Sequence, residues 1–229
     1  MKNKISFSTI VSVIISILPF GIYYSLYNQM SSQIPIHYNA NGVIDRFVDK
    51  SSYEILLMCG IGILGFIIMK TLSLIIIKFN DSTKQNNSKI IGLIMNVTTL
   101  LVTILFTGIS IYSLVTAANI YKFNTLEIFK LSNVFSGIIA IVLGNYLPKF
   151  KQSNLSGFRT KTTLTNKEIW FKAQRFCGRV WIIGGVLIII CSFLLGNMSF
   201  AVSAALAPIS YTLMVIIPAI YGKKISEVN

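Results

Sequence analysis

Six long apolar stretches constrain this chain more than any other feature of its sequence. Most of them reach the roughly 20 residues that an α-helix needs to cross the hydrocarbon core of a bilayer. Only 12% of the residues are charged, about half of the roughly 25% typical of soluble domains. The sequence therefore predicts an all-α membrane protein with six transmembrane helices, at residues 5–27, 53–77, 90–117, 126–144, 180–195 and 200–221.

The distribution of basic residues predicts which side of the membrane each loop occupies. The chain has 20 Lys and Arg against 7 Asp and Glu, a formal net charge of +13. If the chain crosses the membrane six times, most of these basic residues lie on the same side of it. The exceptions are Arg46, Lys50, Lys122 and Lys130. Because cytoplasmic loops are enriched in Lys and Arg, we expect both termini and loop 145–179 in the cytoplasm, and loop 28–52 outside. The basic excess suits membrane topology and contact with anionic lipid, so we expect no nucleic-acid binding.

The chain is expected to divide into a two-helix unit at 1–89 and a four-helix membrane region at 90–229. The third apolar stretch carries polar residues on one helical face: Asn96, Thr99, Thr103, Thr107 and Ser110. We interpret this face as a site of hydrogen bonding between helices, with a polar ligand cavity as the alternative. Small residues spaced by four predict close packing of the fourth helix, at Ser136, Ala140 and Gly144.

The outer loop has the pattern of a β-hairpin, because Asn41-Gly42 is a strong two-residue turn signal between apolar residues. Possible cation ligands in this loop are His37, Asn39, Asp45 and Asp49. Their spacing matches no established metal site, and no nucleophile or partner acid is spaced to act with the histidine. No span is expected to carry a carboxylate at mid-depth, which argues against ion-coupled transport. We therefore expect no metal, no cofactor and no enzymatic activity.

The inner loop contains a helix start signal. Thr165 and Glu168 have the spacing of a capping box, which predicts a helix from this point onward. Its apolar face would consist of Ile169, Ala173, Phe176, Cys177 and Val180. Trp170 and Trp181 suit the lipid interface. The sequence thus predicts a cytoplasmic interfacial helix that leads directly into the fifth span.

The opposite face of this predicted helix is a basic stripe, formed by Lys172, Arg175 and Arg179. Two interpretations remain open for it. It could anchor the protein on anionic lipid, or it could dock a cytoplasmic partner. Arg159, on a loop after Gly157 and before a Thr-rich run, is the residue that we most suspect of a specific contact.

The two loops together resemble the SdpI family of bacterial immunity proteins. The inner-loop motif comprises Asn145, Asn154, Gly157, Arg159, Thr160, Glu168 and Trp170. The outer loop is similar to a small domain of unknown function that often precedes that family, through Pro35, His37, Asn39, Gly42, Asp45 and Lys50. The chain departs from the family pattern at 158–164, and a family histidine near the fifth span is replaced around Gln174 and Arg175.

This resemblance implies a multi-pass protein of the bacterial cell membrane that protects its producing cell against a secreted, membrane-active peptide toxin. The outer-loop residues would then be the toxin-binding set, and the expected partners are membrane lipid and the toxin. The alternative is a membrane sensor or scaffold that docks a cytoplasmic regulator through the basic inner loop and so takes part in signal transduction.

Overall fold

The computed structural model describes residues 6–39, 43–82, 87–118, 125–154, 156–195 and 199–227. In chain order its elements are α1 (Phe7–Leu26), β1 (Gln33–Tyr38), β2 (Ile44–Asp49), α2 (Tyr53–Ser82), α3 (Ser88–Ala117), α4 (Thr125–Tyr146), α5 (Lys161–Thr165), α6 (Lys167–Leu195) and α7 (Phe200–Glu227). Short 3₁₀ turns at Tyr27–Gln29 and Leu147–Lys149 extend α1 and α4.

Six helices within these described ranges are long and apolar enough to cross a membrane. They are Phe7–Gln29, Tyr53–Phe79, Ser88–Ala117, Leu126–Lys149, Lys167–Leu194 and Ala201–Lys224. The six expected spans are therefore confirmed. The fifth differs most, because α6 begins at Lys167 rather than at residue 180. The segment expected to be an interfacial helix that leads directly into the fifth span is the first part of this continuous helix.

The six long helices form two groups of three. In the first helix group α1, α2 and α3 pack against one another, and in the second helix group α4, α6 and α7 do so. The main helix-to-helix contact between the groups is that of α3 with α4. We call the face that carries β1 and β2 the hairpin side, and the face that carries 147–166 the loop side. The hairpin side also holds the end of α3, because the Ser31 N–H donates to the Ala117 carbonyl at 3.1 Å.

Small residues let α4 and α6 approach closely. A Cβ atom added at Gly144 would lie 2.7 Å from the Gly178 carbonyl oxygen, and one added at Gly137 would lie 2.6 Å from the Gly185 oxygen. Both distances are too short for a real side chain. The close packing expected from the small-residue spacing of the fourth helix is thus confirmed, and Ala140 is fully buried in it. Such contacts are a main source of helix association in lipid.

The polar face of α3 is buried inside the first helix group. Ser110 Oγ donates to the Met58 carbonyl of α2 at 2.9 Å, and Lys70 Nζ of α2 donates to Asn96 Oδ1 at 2.9 Å. The hydroxyls of Thr99 and Thr103 instead donate to carbonyls one turn earlier in α3. Hydrogen bonding between helices is therefore confirmed at Asn96 and Ser110, whereas the hydroxyls of the two threonines form hydrogen bonds within their own helix.

Candidate functional site

The outer-loop hairpin is fixed firmly on the end of the first helix group. Its strands pair in antiparallel fashion, with Ile34 opposite Val48, so the expected hairpin is confirmed. The Asn41-Gly42 turn itself lies outside the described residues. Ile34 is fully buried in an apolar cluster with Met30, Ile55 and Leu114. This cluster joins the hairpin to three different helix ends, which removes its freedom to move as a separate unit.

Polar contacts add a second attachment. Tyr23 Oη of α1 donates to the Lys50 carbonyl at 2.9 Å, and Lys50 Nζ donates to the Tyr27 carbonyl at 3.2 Å. The same ammonium lies 4.7 Å from the centroid of the Tyr27 ring, within cation–π range. Lys50, which we expected to take part in binding, therefore has a structural role in joining β2 to α1.

The exposed residues of the hairpin carry charges of both signs. His37 Nδ1 lies 2.6 Å from Asp45 Oδ1, and their side chains are 63% and 41% exposed. Arg46 contacts Glu54 of α2 at 2.6 Å, and its side chain is 59% exposed. Phe47 adds an exposed ring to this surface. We call these four hairpin residues, His37, Asp45, Arg46 and Phe47, the outer patch.

The remaining outer-loop residues have local roles. Pro35 lies opposite Phe47 in the strand pair, and Asn39 Oδ1 accepts the Val43 N–H at 3.0 Å. Gly42 lies outside the described residues. The possible cation ligands are not gathered together, because Asp49 lies opposite Gln33 at the far end of the hairpin. Within the described part of the chain, no three His, Cys, Asp or Glu residues form a group that could hold a metal ion.

Asp49 closes the turn between β2 and α2. Its Oδ1 accepts both the hydroxyl and the N–H of Ser51, the latter at 2.8 Å. These hydrogen bonds favour the ionised carboxylate, so they hold the pKa of Asp49 below its ordinary value of 3.8. The aspartate therefore helps to fix the direction in which α2 leaves the hairpin.

On the loop side, Asn87 connects the two helix groups. It is only 1% exposed and precedes the first residue of α3. Its Nδ2 donates to the Lys151 carbonyl at 3.0 Å and to Ser156 Oγ at 3.1 Å, and its Oδ1 accepts the Lys151 N–H at 3.0 Å. One side chain of the first group thus holds two points of the inner loop that belongs to the second.

Trp170 and Gln174 hold the inner loop against α6. Trp170 Nε1 donates to the Phe150 carbonyl at 2.8 Å. Gln174 accepts the Phe158 N–H at 2.9 Å and donates to the Phe158 carbonyl at 2.6 Å. Between these contacts Gly157 adopts a φ of +90°, where an added Cβ would lie 3.0 Å from the Trp170 ring. A glycine is required here by both conformation and space.

Two predictions about this loop were wrong. The capping box does not involve Thr165 and Glu168, because Thr160 and Thr163 form one at the start of α5, while Asn166 Oδ1 accepts the Glu168 N–H at 2.8 Å. Glu168 instead pairs with Lys172 at 2.7 Å. Trp170 does not lie at the lipid interface, since its side chain is fully buried. The physical reason is that residues 150–154 and 156–158 fold back over the first turns of α6.

The basic stripe of Lys172, Arg175 and Arg179 is exposed, as its position opposite the apolar face predicted. The apolar face itself is covered by protein, with Ile169, Ala173 and Cys177 all buried. Phe176 stacks on Tyr221 of α7 at a centroid distance of 3.9 Å. The early part of α6 is therefore amphipathic, but it buries its apolar side against its own chain.

The other motif residues lie at the surface of the same loop. The side chains of Asn145 and Arg159 are exposed. The guanidinium of Arg159 donates to the Asn154 carbonyl, which closes a small exposed turn. Sequence reasoning missed Asn87, Ser156 and Gln174. For Gln174 a signal existed, because this polar residue lies one turn beyond Trp170 on the face that is otherwise apolar.

Comparisons with known proteins cover both loops. A model described as the SdpI/YfhL protein family matches residues 149–222, and one described as Domain of unknown function (DUF1648) matches residues 14–63. The Immunity protein SdpI of Bacillus subtilis (strain 168) is 26% identical over 217 residues, which span 95% of this chain and 97% of that relative. No solved structure matches the chain.

The two matched regions coincide with the parts of the fold described above. Residues 14–63 include the whole hairpin, and residues 149–222 include the inner loop apart from its first residues, such as Asn145, together with α6 and most of α7. The resemblance expected from the two loops is therefore confirmed: the chain is a multi-pass protein of the bacterial membrane that resembles the SdpI/YfhL family over residues 149–222 and DUF1648 over residues 14–63.

Proposed function

We propose that this protein is a non-enzymatic immunity protein that protects its own cell against a secreted, membrane-active peptide toxin. The observation that carries the proposal is the match to the Immunity protein SdpI, which extends over 95% of this chain and 97% of that relative. A match of that extent covers both the outer hairpin and the inner loop, so the similarity is not limited to one pair of helices.

The outer patch is the surface that best suits contact with such a peptide. It lies on the hairpin side, next to the ends of the spans, and combines a histidine–aspartate pair with an arginine and an exposed aromatic ring. A membrane-active peptide is amphipathic, so both its apolar and its charged faces find partners there. Because Ile34 and Lys50 already hold the hairpin in place, the hairpin loses little conformational entropy when it binds the peptide.

Survival of sensitive cells tests this proposal. A Bacillus subtilis strain without its own SdpI would express this chain and then be challenged with secreted peptide toxins from the SdpI-carrying strain. We expect the wild-type chain to restore growth. The double variant His37→Ala, Asp45→Ala should lose most of this protection, since it removes the exposed histidine–aspartate contact of the outer patch.

A matched control keeps this test specific. The variant Lys151→Ala, Lys161→Ala changes two exposed residues on the loop side that lie outside the inner-loop motif, and it should protect as the wild type does. Membrane insertion of every variant is checked by fractionation and immunoblotting. Full protection by the inserted hairpin variant would remove the outer patch from the proposal. Absence of protection by an inserted wild-type chain would contradict the immunity function against these toxins.

A second function, as a membrane scaffold for a cytoplasmic regulator, is favoured by the exposure of Lys172, Arg175 and Arg179 on α6. Three cations on one face of a rigid helix suit an acidic protein surface. Reversing all three charges to Glu should release such a regulator from the membrane fraction while protection against the toxin persists. An unchanged distribution of cytoplasmic proteins between membrane and soluble fractions would exclude this scaffold role.

A further inference from the structure

A cavity of about 400 Å³ opens at the hairpin-side end of the boundary between the two helix groups. Its walls are mainly apolar and come from α3 and α4, through residues such as Ile109, Ile128 and Val134, with Phe193 of α6 beside them. This volume falls in the range of roughly 300–1,000 Å³ that is typical of small-molecule sites. Phe193 is 56% exposed, so the cavity opens sideways toward the surrounding bilayer.

Two opposite charges lie at one end of this cavity. Glu127 and Lys130 both line it from the first two turns of α4. Tyr112 Oη of α3 donates to Glu127 Oε2 at 3.4 Å, and Lys130 Nζ lies 4.6 Å from the centroid of the Phe193 ring. Ser192 Oγ donates to the Lys130 carbonyl at 3.1 Å, which fixes α4 against α6 at this level.

An apolar slot that ends in a carboxylate and an ammonium has the chemistry of a lipid site. Hydrocarbon fills any apolar space that is open to the bilayer, and charged groups near the ends of spans meet lipid headgroups. The two signs of charge select the headgroup. An anionic lipid would satisfy the lysine and repel the carboxylate, whereas a zwitterionic headgroup offers a phosphate to one and an amine to the other.

We propose that this cavity binds one aminophospholipid, with an acyl chain between α3 and α4, its phosphate on Lys130 and its ammonium on Glu127. A primary ammonium donates charge-assisted hydrogen bonds to the carboxylate, which a quaternary choline group does not. The site is separate from the outer patch and does not depend on the immunity function. Its occupant fills a gap beside the contact of α3 with α4, through which the two helix groups meet.

Lipid retention after purification tests the proposal. The full chain is incorporated into vesicles of equal parts phosphatidylethanolamine and phosphatidylglycerol, re-extracted in mild detergent, and its bound lipids are counted by native mass spectrometry. We expect the wild type to retain one phosphatidylethanolamine per chain in preference to phosphatidylglycerol. Glu127→Gln should weaken this retention roughly tenfold to hundredfold, as the loss of a hydrogen bond to a charged group does.

A second variant tests the apolar part of the site. Val134→Trp places a bulky ring in the slot and should abolish retention, whereas Leu74→Trp on α2, where the native side chain is 69% exposed, should leave it unchanged. Circular dichroism identifies variants that fail to fold. Equal retention of the two lipids by the wild type, or unchanged retention by Glu127→Gln, would overturn the proposal. If the wild type instead formed a dimer without bound lipid, and Val134→Trp dissociated that dimer, the cavity would belong to a contact with a second copy of the chain. This outcome would also overturn the proposal.

Discussion

Replacing Asn87 with alanine should loosen the inner loop without unfolding the helices. The side chain makes three hydrogen bonds to Lys151 and Ser156, each within 3.1 Å, while it is almost fully buried. A buried hydrogen bond of this kind contributes about 1 kcal/mol net. The three hydrogen bonds together therefore contribute about 3 kcal/mol. Because both partner residues lie in one segment of the loop, removing the bonds should lower the local stability of that segment.

Hydrogen–deuterium exchange measures this loss directly. If the free energy of local opening falls by about 3 kcal/mol, the amides of the opened segment exchange roughly a hundredfold faster. The amides to follow are those of Ser156 and Phe158, because their backbone N–H groups donate to Ser153 Oγ and Gln174 Oε1 and not to Asn87. Asn154→Ala, an exposed asparagine in the same loop, is the matched control and should leave both rates unchanged. If Asn87→Ala also left them unchanged, the role of this side chain as a connector would be refuted.

Three further predictions concern close contacts and one turn. Gly144→Leu should separate α4 from α6 and lower the melting temperature in detergent by far more than Gly21→Ala, a position where an added Cβ meets nothing within 4 Å. Gly157→Ala should cost about 1–3 kcal/mol, because φ is +90° there, and thermal unfolding compared with the same control measures it. The pKa of Asp49 is lowered, so its contribution to the folded turn is fully present above the ordinary value of 3.8 and is lost as the pH falls through the lower folded-state value. Carbon NMR titration should therefore show the pKa of this carboxyl rising toward 3.8 in Ser51→Ala, and an unchanged value would contradict the assigned cause.

The parts of the fold that depend on local pattern were predictable from the sequence. The six spans follow from apolar length, and the hairpin follows from a turn signal between alternating residues. The close packing of α4 was visible in small residues at four-residue spacing, although these residues did not indicate α6 as the partner. Each of these features depends on neighbours within a few turns of chain, so a single sequence contains enough information.

The inner loop was not predictable in the same way, because its contacts join residues that are distant in the chain. Nothing near Asn87 indicates that its partners lie 64 and 69 positions later. Trp170 was placed at the lipid interface because tryptophan prefers that position, but a hydrogen bond to Phe150 and the cover of the loop outweigh this preference. The helix start was assigned to Thr165, two residues before α6 begins at Lys167, but Asn166 caps that helix and the capping box lies five residues before Thr165, at Thr160.

The grouping of the helices in threes has a consequence for biosynthesis. Each group contains an odd number of passes, so a chain that threads through the first group leaves the membrane on the face opposite to the one it entered. The first pass of the second group therefore crosses in the opposite direction to the first pass of the first group. The basic residues of segment 145–179, around the start of α6, favour this orientation in addition to the two lysines near residue 1. A fragment starting at residue 125 would therefore contain its complete insertion signal and should adopt the same orientation when it is synthesised alone.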